Sequence, residues 1–243
     1  MRVLVALCLI SSFIGCGRLD AEDILKMAAF GNSISRGTNS IGFGNYPAYN
    51  WATGTKIESH MIKLEKQRRV QVIAKNLSIA GVTSTHLAKE IEHLYGFIPD
   101  YATIEIGAND VCRNMNTDIL RNVKNAIDKL VKINPAIEII LVPIIKITSV
   151  HDVKQGLKCE IAWDLECPAL LGTLVSDEQR LLRQLKLDGI NYSLEKLAAL
   201  YPQVSFNSEV GEVDVQEEAI SDVDCFHPSV AGQQWLSDLT FLN

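Results

Sequence analysis

Residues 136–145 read AIEIILVPII. A continuous apolar run of this kind is the mark of a strand buried on both faces, the centre strand of a parallel sheet. Moving outward, other apolar runs alternate with helical patterns. ILKMAAF (24–30) ends at Gly31, and the β-rich VQVIAKNLSIAG (70–81) ends at Gly81. TSTHLAKEIEHLYG follows, with Leu87, Ile91 and Leu94 at helical spacing. YATIEIGAND (101–110) is another strand, and MNTDILRNVKNAIDKLVKI puts Ile119, Val123, Ile127 and Val131 on one helix face. A long helix covers roughly 177–200, QVSFN (203–207) is a short last strand, and PSVAGQQWLSDLTFL is a last helix. Strand–helix alternation specifies an α/β fold, a three-layer α/β/α sandwich around a central parallel sheet.

Composition fits that class: 47% apolar and 21% charged residues describe a soluble globular chain, and 243 residues suffice for one domain. A net charge of −6 with no basic stripe excludes nucleic acid as a partner, and Lys66–Arg69 reads as a solvated helix end. The start, MRVLVALCLISSFIGCGRLD, has the n-region, h-region and small-residue pattern of an export signal, assigned to 1–20 with the domain at 21–243. FIGC resembles a bacterial lipobox, which makes Cys16 a lipidation candidate. Phe13 departs from that pattern, so cleavage after Gly17 or Ala21 stays open. The expected location is the periplasm, outer membrane or cell surface as a lipoprotein, and secretion otherwise. Removing Cys8 and Cys16 leaves Cys112, Cys159, Cys167 and Cys225, enough for two bridges in three connectivities. No cysteine or histidine spacing suggests a metal site, and no cofactor is implied.

In parallel sheets, functional groups gather past the C-terminal strand ends. Ser33, Gly81 and Asn109 fall there. Serine is a weak nucleophile until a base, normally an oriented histidine, takes its proton. Of the five histidines, His227 alone lies in a D-x-x-H turn, behind Asp224, in DVDCFHPSVAGQ. Asp224 could fix the imidazole tautomer; a helix-capping pair is the alternative. The backbone N–H groups of Ser33 and Gly81 and the amide of Asn109 could hold an oxyanion. Taken singly, Gly81 and Asn109 also suit ordinary turns.

FGNSISRG, NLSIAGVTS, IGAND and DCFHP resemble, in order, the four sequence blocks of the SGNH (GDSL) hydrolases, spanning nearly all of the mature chain. The resemblance implies a flavodoxin-like SGNH hydrolase fold and a serine esterase. Its catalytic residues would be Ser33, Asp224 and His227, and its oxyanion hole Ser33, Gly81 and Asn109. The family usually has Asp where Asn32 stands, which puts fine tuning in doubt. NDVC, DCFHPS and the aromatic stretch YPAYNWATGT are closer still to the phospholipase-B-like GDSL lipases, implying a lipid or phospholipid acyl ester as substrate. A carbohydrate acetylesterase is the second reading, and a non-catalytic lipid- or glycan-binding envelope protein the third. Within that sub-resemblance Cys112 and Cys225 would be neighbours, implying a Cys112–Cys225 bridge and Cys159–Cys167 closing a short loop. Tyr46, Tyr49, Trp51 and Trp163 are candidates to line a substrate pocket, and packed loop clusters are the alternative.

Overall fold

The computed structural model describes residues 24–113 and 117–242; the export signal and Cys16 lie outside them. Five strands, β1 (Ile24–Gly31), β2 (Gln71–Asn76), β3 (Tyr101–Glu105), β4 (Glu138–Val142) and β5 (Val204–Phe206), pair in parallel in the order β2-β1-β3-β4-β5. The apolar 136–145 run therefore supplies an interior strand, β4, between β3 and β5. β1 sits inside as well, and Met27–Phe30 are solvent-free.

The helices are α1 (His60–Arg68), α2 (Leu87–Glu92), α3 (Ala108–Cys112), α4 (Ile119–Ile133), α5 (Val150–Val153), α6 (Leu157–Glu166), α7 (Asp177–Ala198), α8 (Glu209–Glu212) and α9 (Val230–Thr240). Right-handed crossovers from a strand order that reverses at β1 must place helices on both faces. α2, α4 and α7 pack on one face, while α1 and α9 share the other. Amphipathic α4 buries Val123, Ala126, Ile127 and Leu130. The reversal also opens a crevice beyond the carboxyl ends of β1 and β3, where the sheet can host a site.

The sequence shows only the Lys66–Arg69 end of α1 as helical. α1 carries few apolar residues, and its first residue, His60, is wholly buried. Its ring bridges the Tyr101 hydroxyl and Thr240 Oγ1, both at 2.8 Å. Burial, with the Lys63 charge adding to it, pushes His60 down to about 3, so it stays neutral as a structural link between α1, β3 and α9. Trp51 is also fully buried and packs edge-on against His60, so it belongs to the core and lines no pocket.

The second unexpected helix, α6, decides the disulfides. The bridges are Cys112–Cys167 and Cys159–Cys225, with Cα–Cα distances of 4.3 and 5.2 Å. The pairing expected from the sequence, Cys112–Cys225 with Cys159–Cys167, is corrected for a geometric reason. Eight residues along a helix separate Cα atoms by about 12 Å, too far for a bridge. Cys159 is buried on α6 and Cys167 is buried just past its end, and the two bridge to different partners. One holds the Asp224–His227 turn and the other holds the end of α3.

Candidate active site

β1 ends at Gly31, whose φ is +143° and whose missing Cβ would stand 2.1 Å from the Glu105 carbonyl oxygen. Only glycine lets the chain pass this close to β3 and turn. The turn puts Ser33 at the start of a short 3-10 helix, Ile34–Arg36. Asn32 explains the departure at this position. Its Oδ1 accepts from the Ile34 N–H at 2.9 Å, as an aspartate could. Its Nδ2 donates to Glu105 Oε1 at 3.2 Å, which an ionised aspartate could not. Ser35 Oγ donates to the other Glu105 oxygen at 3.3 Å, and Glu90 Oε2 accepts from the Gly31 N–H at 2.8 Å. Two buried carboxyls thus support the serine turn from beneath.

Burial pushes Glu90 up to about 8, opposed by the Gly31 hydrogen bond and reinforced by Glu105, and pushes Glu105 up to about 7 against the donors Asn32 and Ser35. The folded chain therefore holds protons that the unfolded chain releases above the ordinary carboxyl value of 4.5. Stability contributed by these groups is lost as pH rises from there through about 7 and 8. Glu90→Gln keeps an acceptor for Gly31 and cannot ionise. Its melting temperature should exceed that of the wild type by roughly 5 °C at pH 8.5 and show no gain at pH 4.5. Equal shifts at both pH values would contradict this.

His227 comes from the far end of the chain. The segment before α9 folds back on itself: the Ser221 N–H donates to the His227 carbonyl at 2.8 Å, and the Cys225 N–H to the Ser221 carbonyl at 2.9 Å. Ser229, one residue after Pro228, caps α9 through the Gly232 N–H. Within this closed turn, Asp224 Oδ1 accepts from the N–H groups of Phe226 and His227, at 3.1 and 3.0 Å. Asp224 Oδ2 accepts from Asn39 Nδ2 at 2.6 Å and lies 2.5 Å from His227 Nδ1. His227 Nε2 lies 2.8 Å from Ser33 Oγ. Burial raises the Asp224 carboxyl, but the hydrogen bonds and charge of His227, with Asn39 behind them, outweigh burial and hold it below its ordinary value. An ionised Asp224 fixes the proton of the neutral ring on Nδ1 and leaves Nε2 free to accept one from the serine.

Asn109 stands in the first turn of α3 and donates from Nδ2 to the Val82 carbonyl at 2.9 Å. An amide nitrogen has two protons, so one remains for a ligand. Gly81, at φ +78°, precedes Val82. Asp110 locks the loop they share: its two oxygens accept from the N–H and Oγ of Ser84, at 2.9 and 2.8 Å. Asn39, Glu90, Glu105 and Asp110 were not singled out from the sequence. Asp110 follows Asn109 in IGAND, but its bonds to Ser84 need the fold. A further anchor is Trp163 on α6, which is buried and donates from Nε1 to the Cys225 carbonyl at 2.8 Å. It braces the Asp224–His227 turn and contributes no exposed aromatic surface. The helix α6 thus grips Cys225 twice, by disulfide and by indole. Cys225 itself has φ +54°, unusual for a non-glycine residue.

The geometry joins a hydroxyl, an imidazole and a carboxylate in one hydrogen-bonded line, the nucleophile and base that acyl transfer requires. The sequence profile of the GDSL-like lipase/acylhydrolase family matches residues 29–235, most of the chain and every residue of this cluster. The chain belongs to the GDSL-like lipase/acylhydrolase family. It is an ester-bond hydrolase. Its GDSL fold is shared with a putative GDSL-like lipase from Parabacteroides merdae, at a TM-score of 0.57 and 17% identity over 88% of this chain and 93% of that one. An acetyl xylan esterase from Geobacillus stearothermophilus matches at 0.53 and 22% identity, covering 88% and 92%. A psychrotrophic esterase from Pseudoalteromonas, with a structure inhibited by monoethylphosphonate, matches at 0.54 and 15% identity, again covering 88% and 92%. At these identities the likeness establishes the fold. No curated protein matches the chain in sequence.

Proposed function

We propose that this GDSL hydrolase cleaves carboxylic esters through an acyl-enzyme on Ser33. The observation that carries the reading is the continuous line from Asp224 Oδ2 through the His227 ring to Ser33 Oγ, with contacts of 2.5 and 2.8 Å. Ser33 Oγ attacks the ester carbonyl while His227 Nε2 takes its proton. The carbonyl oxygen gathers charge, which the Ser33 and Gly81 N–H groups and the free Asn109 amide proton stabilise. As the tetrahedral intermediate collapses, the carbonyl–alkoxy bond breaks and His227 gives the proton to the departing alcohol. Water then attacks the acyl-enzyme with His227 again as base, releasing the acid and restoring the serine.

The substrate class within this reading is an acyl lipid or phospholipid ester. Its support is the phospholipase-B-like character of NDVC and DCFHPS; with Cys112 and Cys225 bridged to Cys167 and Cys159 and not to each other, that support lies in the sequence blocks alone. The protein is read as exported, with Cys16 as the lipid anchor. The apolar leader and the two disulfides, which persist in oxidising compartments, support this. The experiment is a panel of p-nitrophenyl esters from acetate to palmitate, a lysophospholipid and acetylated xylan. Turnover of the short p-nitrophenyl esters is expected, with the lysophospholipid cleaved faster than the acetylated glycan. No turnover of any member would overturn the hydrolytic reading, and preference for acetylated xylan would replace the lipid assignment with the glycan one.

A further inference from the structure

We infer that Arg113 is a specificity residue at the mouth of the site, which selects esters carrying an anionic oxyacid group, a carboxylate or phosphate, close to the scissile carbonyl. This rests on the reading of Ser33 as nucleophile and adds a substrate charge to it.

Arg113 follows the disulfide-held end of α3, one turn beyond Asn109. Its backbone N–H donates to the Asn109 carbonyl at 3.2 Å, so its position is tied to that of the oxyanion donor. Its guanidinium reaches over Gly81. A Cβ built on Gly81 would meet one Arg113 nitrogen at 3.7 Å, and nothing else within 4 Å. The open side of the oxyanion-hole glycine is therefore faced by a cation. An oxyanion sits about 3 Å from its N–H donors, so an anion held by this guanidinium would lie only a few bonds from the reacting carbonyl.

The cation is uncommitted. Among the described residues the Arg113 side chain makes no hydrogen bond or ion pair. The carboxylates nearest to it in sequence have other partners: Asp110 holds Ser84, and Asp118 pairs with Arg121 at 3.0 Å. In a chain of net charge −6, an exposed, unpaired arginine beside the donors of an active site is a local inversion of the prevailing sign. The acid-rich 208–224 segment does not cancel it. Asp214 pairs with Lys146, and Asp222 with Lys154, both at 2.7 Å, and Glu217 is 3.8 Å from Lys154. These pairs belong to the segment that carries His227, while Arg113 belongs to the Asn109 side. The planar guanidinium fork matches carboxylate and phosphate oxygens two at a time, which a lysine ammonium does not.

The same chemistry could come from the phosphate of an acyl glycerophosphate or from the carboxylate of an acetylated uronic sugar. The test compares kcat/KM in two matched pairs: butanoyl glycerol phosphate against monobutyrin, and O-acetyl galacturonic acid against O-acetyl galactose. The wild type should favour the anionic member of at least one pair, and the responding pair identifies the source. Arg113→Gln keeps the backbone bond to Asn109. It should lower the anionic-to-neutral ratio of that pair about 10- to 100-fold, mainly through KM, and Arg113→Lys should recover part of it. An unchanged ratio in both pairs would overturn the inference, as would a loss that falls equally on charged and neutral esters. Continued turnover of the neutral esters in either case would leave the Ser33 reading standing.

Discussion

Ser33→Ala should lower kcat on a short p-nitrophenyl ester by about 10⁶, while the melting temperature should stay at the wild-type value. The size follows from the division of labour in the site. On the proposed acyl-enzyme route, removing the hydroxyl removes the covalent intermediate and leaves the proposed oxyanion donors to assist direct attack by water. The unchanged stability follows from the contacts. The serine side chain is nearly buried, and its hydrogen bond within the chain is to His227. That imidazole keeps Asp224 as a partner when the hydroxyl is gone. Steady-state kinetics and a thermal melt check both halves. A variant retaining more than about 1% of the activity would assign the nucleophile elsewhere.

Asp224→Asn is the second large effect, about 10⁴ in kcat. All four groups facing this carboxylate are donors: two backbone N–H groups on Oδ1, and Asn39 Nδ2 and the His227 ring on Oδ2. An asparagine has one oxygen, so in either orientation its NH2 confronts donors. If the amide faces the ring, the histidine must place its proton on Nε2, where it can no longer accept from Ser33. If the amide faces the backbone, two buried N–H groups lose their acceptor and the turn loosens. KM should change far less than kcat, because the carboxylate touches the ring and not the substrate. Kinetics within tenfold of the wild type would show that Asp224 does not set the tautomer.

β1, β3 and β4 were legible as largely apolar runs closed by a glycine or proline turn, and β2 and β5 by their β-rich composition. Ser33, Gly81 and Asn109 could be placed at their carboxyl ends for the same reason. Asn109 and Asp110 nevertheless belong to α3 and not to the end of a strand. The meeting of Ser33 with His227 needed the strand order, since 194 residues separate them. α6 escaped because its buried positions are Cys159 and Trp163, with Cys167 just beyond, while Leu157, Ile161 and Leu165 point outward. Its apolar residues therefore give no core-facing stripe, and the disulfide pairing was misread with it. Glu90 escaped for the opposite reason. A glutamate in a helix ordinarily marks the solvated face, and only the close packing of α2 on β1 turns it inward to Gly31. His60 sat in a segment with too few apolar residues to announce a helix. Arg113 carries no signal of its own, and its meaning comes from Gly81, which is distant in sequence and adjacent in space.

The central claim is that the hydroxyl of Ser33 is the group that becomes acylated. Its most direct test is peptide mass spectrometry of the wild-type protein after treatment with a fluorophosphonate probe. One phosphonyl adduct per chain, located on Ser33 and abolished in His227→Ala, is the predicted result. An adduct on another residue, or none on a protein that still hydrolyses esters, would contradict the account.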